Sequence, residues 1–251
     1  MRRSALVRLL AVAATVAAIA VGSAVFKLAA PAAAGPERVD TAIGNWHFHY
    51  TIPGADATGD YSIGVDYPRA LAAEVRAAAT AMNQYAEQTA RANQPFQATI
   101  VFARPLSTEE FAQFVAATGI APTGNIVRAF QPDGTRVTMG VPPVWAADGQ
   151  GHHLIGQAAP GQSALDATAF ERLRGGHPEN RVAGVVSTDV MLDAATYGRV
   201  KGRPEVFALD TLQDIVSKDV QRQHPGTRVA KVHVQNSRLY WALEDVGLVA
   251  K

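Results

Sequence analysis

The chain has no cysteine among its 251 residues. Disulfide staples, thiolate nucleophiles and cysteine-ligated zinc are excluded, and stability must come from an ordinary apolar core. No block of lysine and arginine follows the first 27 residues, which argues against nucleic acid and anionic lipid headgroups as partners. Signature motifs are missing too. There is no His-Glu-x-x-His, and Gly149-Gln150-Gly151 lacks the lysine and third glycine of a phosphate loop. Ser163 follows Gly161-Gln162, but Leu165 stands where a nucleophile elbow needs glycine. Asp56, Asp60 and Asp66 are too irregularly spaced for a calcium loop. No cofactor is expected.

Charge is also absent from Leu9 to Phe26, which has no proline and a single glycine, Gly22. Arg2, Arg3 and Arg8 precede this run, Lys27 closes it, and a small-residue stretch from Ala29 to Gly35 follows. That order is the pattern of an export leader. Eighteen residues of helix span roughly 27 Å, between the about 7–15 residues of a cleaved signal core and the about 20 of a spanning helix. Ala32-Ala33-Ala34 meets the small-x-small requirement for cleavage before Gly35. Two placements follow: a cell-membrane protein with one N-terminal span and its body outside the cytoplasm, or a secreted protein after cleavage. A buried helix of a cytosolic protein would normally carry a polar face, and this one has none. The leader holds four of the 23 basic residues and none of the 22 acidic ones, so the remainder carries 19 against 22, about −3.

Past a short tether, Pro31 to Arg38, the stretch Trp46 to Ile52 alternates as a half-buried strand ended by Pro53-Gly54. Asp56 to Ser62 reads as a loop. Pro68 to Asn93 is the longest helical stretch, with Leu71, Val75, Met82 and Tyr85 near helical spacing. Gln97 to Arg104 is strand-like. Ser107-Thr108-Glu109-Glu110 is a capping box, Phe111, Phe114, Val115 and Thr118 line the helix it opens, and Gly119 is placed for a left-handed cap. Asn125 to Phe130 and Arg136 to Val141 form a hairpin around Gln131-Pro132-Asp133-Gly134. Val144 to Gln162 reads as irregular, and Ser163 or Asp166 as the cap of a short helix closed by Gly175-Gly176.

A second strand–helix–strand unit follows. Val182 to Ser187 is its strand, Thr188 or Asp189 its cap, Met191 to Val200 its helix and Glu205 to Leu209 its returning strand. Asp210 caps a further helix carrying Leu212, Ile215, Val216 and Val220, ended by Pro225-Gly226. Arg228 to Val234 and Arg238 to Leu243 read as two strands, with Tyr240 and Trp241 on opposite faces. This terminal helix, Pro-Gly and hairpin, Asp210 to Val246, resembles a PepSY module, a family of exported regulatory domains; no residue role is carried over from it.

Histidines are the candidate chemistry. His47 and His49 lie two apart on a strand, and His152 and His153 are adjacent in a loop. Together they are the candidate ligands for zinc or copper. The plainer reading makes the first pair the polar face of a strand and the second a solvated loop. Asp189 and Asp193, four apart on the expected helix, would share a face, as caps or as an acid–base pair. Trp46, Trp145 and Trp241 are core or ligand surface.

The expected fold is α+β: an N-terminal hydrophobic helix, then a mixed or antiparallel sheet with helices packed on one face, a ferredoxin-like sandwich. Its divisions are 1–34 (leader or anchor), 35–94 (strand plus long amphipathic helix) and 95–251 (globular α+β domain). The functional expectation is an exported or membrane-tethered binding or interaction domain without recognisable catalytic machinery. The alternative is an extracytoplasmic hydrolase assisted by a metal on the histidine clusters. Expected partners are a protein or small ligand of unspecified identity, the membrane through the N-terminal helix, and a second copy through Pro68–Asn93, but no nucleic acid.

Overall fold

The computed structural model describes residues 37–43, 46–52, 59–64, 71–141, 144–147, 153–156, 159–162, 165, 174, 178–223, 229–235 and 239–250. Side chains are described from residue 71 onward, except within 144–156 and 229–235 and at Val220 and Gln223. The leader and the Ser163–Gly176 helix, Arg174 and Leu165 aside, lie outside the described residues.

In chain order the elements are β1 (Glu37–Ile43), β2 (Trp46–Ile52), β3 (Gly59–Gly64), α1 (Ala72–Arg91), β4 (Phe96–Leu106) and α2 (Thr108–Thr118). Then come β5 (Pro122–Phe130), β6 (Arg136–Val141), β7 (Val144–Ala147), β8 (His153–Gly156), β9 (Arg181–Leu192) and α3 (Ala194–Val200). The chain finishes with β10 (Val206–Asp210), α4 (Leu212–Gln223), β11 (Val229–Gln235) and α5 (Leu239–Asp245). Five strands form an antiparallel sheet in the order β10-β4-β9-β5-β6, and three two-stranded sheets, β1-β2, β3-β11 and β7-β8, stand apart from it. The units β4-α2-β5 and β9-α3-β10 interlock, since β9 lies between β4 and β5 while β4 lies between β9 and β10.

The central strands are apolar on both faces. In β4, Ile100, Val101 and Phe102 are all buried, and they belong to two different cores. One core joins Val101, Ile126, Val186 and Ala208 to α1, α4 and α5. The other joins Ile100, Phe102, Val127 and Val185 to α2 and α3, with Phe102 edge-on to Phe111 and Phe114. The expectation of helices on one face is thus corrected: helices cover both. An unbroken Ile-Val-Phe run marks a strand buried on two sides, whereas a one-sided sheet alternates.

α1 touches both cores, Val75 and Met82 in the first, Ala86 and Ala90 in the second, because it lies across the β10 edge. Asn83 Oδ1 accepts a 2.8 Å hydrogen bond from the outward N–H of Leu209. Gly184 in β9 has φ +137°, and a Cβ there would overlap the Leu106 carbonyl oxygen, so close approach of β4 and β9 requires glycine.

Several boundaries match the sequence reading. Ser107 Oγ accepts from Glu110 N at 3.1 Å while the Glu110 carboxylate accepts from Ser107 N at 2.9 Å, and Gly119 is left-handed. The Glu110 carboxyl is held at about 2, chiefly by its hydrogen bond from Arg104.

Other boundaries differ. Glu37 and Arg38, expected in the tether, open the strand Glu37–Ile43, and residues 59–62, expected in a loop, belong to β3, with Tyr61 and Ile63 paired to β11. Val144–Gln162 contains the β7-β8 hairpin. β9 runs on to Leu192, so Thr188 and Asp189 are strand residues and the cap is Asp193, whose Oδ1 accepts from Thr196 N at 2.7 Å. The period of two continues there, with Val190 and Leu192 buried and Met191 exposed. Arg238–Leu243 is not a strand, since residues 239–245 are α5. The bonds Leu248 N to Leu243 O (2.8 Å) and Gly247 N to Glu244 O (3.1 Å), with Gly247 at φ +73°, close it in a Schellman motif. The helix–hairpin pattern behind the PepSY resemblance is therefore absent. Among the described residues no helix is long and apolar enough to cross a membrane.

Candidate functional site

The open end of the five-stranded sheet is the candidate site. β6 pairs with β5 on one side, Asn125 to Phe130 opposite Val141 to Arg136, and among the described residues no strand flanks its other side. Its position is fixed by buried charge. Arg128 of β5 and Glu244 of α5 are both almost fully buried. Arg128 Nη2 donates to Glu244 Oε2 at 2.5 Å, Arg128 Nη1 donates to the Thr138 hydroxyl of β6, and the guanidinium lies 5.5 Å over the Tyr240 ring. Arg136, at the start of β6, donates to the same Glu244 oxygen at 2.8 Å and pairs with Asp245 at 2.8 Å. Two guanidinium groups thus face two adjacent carboxylates and formal charge balances. Burial, and secondarily the Glu244 charge, pushes the Tyr240 hydroxyl up to about 12, and that hydroxyl donates to the Ala250 carbonyl at 3.0 Å.

The balance is incomplete in hydrogen-bonding terms. Among the described residues, Arg128 Nε and Glu244 Oε1 are buried without a partner, as are Ser187 Oγ and Asn125 Nδ2. An incompletely bonded buried ion pair contributes little net stability, yet losing one partner is costly. Its evident work is positional, tying α5 to the β5-β6 hairpin.

Other polar groups are also committed to packing. Asp214 accepts from the Tyr85 hydroxyl (2.8 Å) and Gln97 N (3.1 Å) and pairs with Lys218 (2.7 Å), joining α1, β4 and α4. Burial, reinforced by that hydrogen bond to Asp214, raises the Tyr85 hydroxyl far above its ordinary range. Asp189 accepts from the Thr99 hydroxyl at 2.5 Å across β9 and β4. Asp189 and Asp193 do not share a helix face, because one is in a strand and the other caps α3. A groove of about 690 Å³ runs along α1, lined by Ala72, Ala73, Arg76, Ala77, Thr80 and Gln84 among others, and holds no acid, base or nucleophile set.

His47 and His49 stand on β2, opposite Ala42 and Asp40, and His153 opens β8, opposite Ala147. β2 and β8 belong to separate two-stranded sheets. The side chains of these three histidines, with His152, Ser163, Trp46 and Trp145, lie outside the described residues. Trp241 is half-buried against the first core. Among the described residues no group of three or more histidine, aspartate or glutamate side chains could hold a metal ion.

Sequence reasoning missed Arg128 and Glu244. The first was signalled by a lone charge between Val127 and Ala129, and the second was hidden by reading α5 as a strand. No family model matches the chain, and no curated protein or solved structure matches it significantly.

Proposed function

We propose that the chain is an extracytoplasmic binding or interaction module without recognisable catalytic machinery, exported or held at the membrane by Leu9–Phe26. Its body reads as a ferredoxin-like sandwich. Numbered within the two interlocked units, β10-β4-β9-β5 runs fourth, first, third, second, and β6 is an added edge strand. Such folds carry many functions, so the site must make the choice.

The observation that carries the reading is the β7-β8 hairpin. It follows β6 in the sequence after Pro142-Pro143, forms its own two-stranded sheet and, among the described residues, pairs with no strand of the main one. Elsewhere among the described residues, the buried carboxylates and guanidinium hold elements together. Binding residues are disproportionately found on connecting segments, and this hairpin lies on a long one between β6 and β9, which supports its reading as a contact loop.

The test replaces residues 144–156 of the full-length protein by a short Gly-Ser bridge and measures partner recovery by proximity labelling in the native cell. Loss of partners with unchanged thermal stability supports the assignment. Unchanged labelling overturns it. Intact mass of protein recovered from membrane and medium tests the leader.

A further inference from the structure

We infer that β6 is a self-pairing edge, at which two copies of the chain join antiparallel into one ten-stranded sheet. The hairpin geometry shows which groups are available. Gln131 N donates to the Thr135 carbonyl and Gly134 N to the Gln131 carbonyl, so 131 and 135 are the closing bonded pair. Alternation from that pair turns the N–H and C=O of Val137, Met139 and Val141 toward β5 and those of Arg136, Thr138 and Gly140 outward. Three residues thus present an outward ladder edge.

The strand is also complementary to itself. With the two-fold axis at Thr138, Arg136 of each copy faces Gly140 of the other and Val137 faces Met139. Apolar meets apolar, and no like charges stand opposite. The usual devices against edge pairing are missing: β6 contains no proline, no lysine and no bulge. Its one charge, Arg136, is already bound to Glu244 and Asp245. At the opposite edge, β10 is covered by α1, with Asn83 on Leu209 N, so pairing closes at two copies instead of running on. A six-residue strand buries less than the about 1,000 Å² of a stable complex, so the dimer is weak and depends on concentration.

The test measures the mass of the full chain in detergent by light scattering from about 1 to 500 μM, the range in which so small an interface titrates. Wild type is expected to approach twice the chain mass. Val137→Lys/Met139→Lys puts like charges opposite and should keep the protein monomeric. Val137→Lys/Met139→Glu puts opposite charges there and should restore the dimer. Gly140→Pro removes one outward N–H and no bond to β5, and should also give monomer; it decides the matter if the double lysine variant loses its circular dichroism. A wild type monomeric throughout overturns the proposal. So does a dimer that survives both the like-charge pair and Gly140→Pro, which would move self-association to another face such as α1.

Discussion

The two edges of the main sheet are finished by different means. At β10 a twenty-residue helix lies over the edge, buries Val75 and Met82, and lends an asparagine oxygen to the Leu209 amide. At β6 no strand among the described residues pairs with the outer ladder, and the strand is held from its face by Arg128, Arg136 and Glu244. Apolar cover satisfies and hides an edge together. Charge tethers a strand while leaving its outer amides exposed. The comparison teaches that a sheet can be stable at both ends and still be sociable at only one.

The sharpest way to break this contrast is at the β6 tether. Glu244→Ala leaves Arg128 buried with no counter-charge and should cost about 3–5 kcal/mol in chemical denaturation. Arg128→Met/Glu244→Leu removes both charges and should recover most of that loss; a double variant as unstable as the single one would show that the pair does more than position. Next comes the guarded edge. Asn83→Ala orphans the Leu209 amide and should cost about 1–3 kcal/mol, with faster hydrogen exchange at Leu209 and no change at β6. Ser107→Ala touches neither edge and serves as the reference: loss of the α2 cap should cost about 1 kcal/mol and leave both edge amides as they were.

The smallest effect is electrostatic. Arg104 and the Ser107 amide hold the Glu110 carboxyl at about 2, below its ordinary 4.5. A lowered carboxyl stabilises the fold fully above its unfolded value and loses that contribution as pH falls toward the folded one. The thermal midpoint should therefore decline between about pH 4.5 and pH 2, and less steeply in Glu110→Gln. The side chain is 41% exposed, so screening by water keeps the difference modest.

Much of this was legible from residue order wherever one local signal had no competitor. The Ser107–Glu110 box, the left-handed Gly119 and the Pro132-Gly134 turn each fix a few dihedrals through their own side chains, and each stands where expected. The unbroken Ile100-Val101-Phe102 run carried the two-sided sheet as well, although alternation elsewhere hid it. What failed depended on distant partners. Thr188 and Asp189 resemble caps by residue type, but cross-strand bonds to Asn125 and Thr99 hold them in β9. Tyr240-Trp241 resembles a strand, yet Leu239 and Leu243 reach the core only as one helical face closed by Gly247. The Arg128–Glu244 contact spans 116 positions, and no local pattern encodes such a meeting.

The stitching of residues 239–250 has a consequence for biogenesis. Leu239, Tyr240, Leu243 and Val249 complete a core that α1 began, and Ala250 N donates to the Ala103 carbonyl at 3.0 Å. A ribosome delivers α1 and β4 long before it delivers these partners. For most of synthesis Val75, Met82 and Val101 wait without their lid, a window in which holding chaperones can engage the nascent chain.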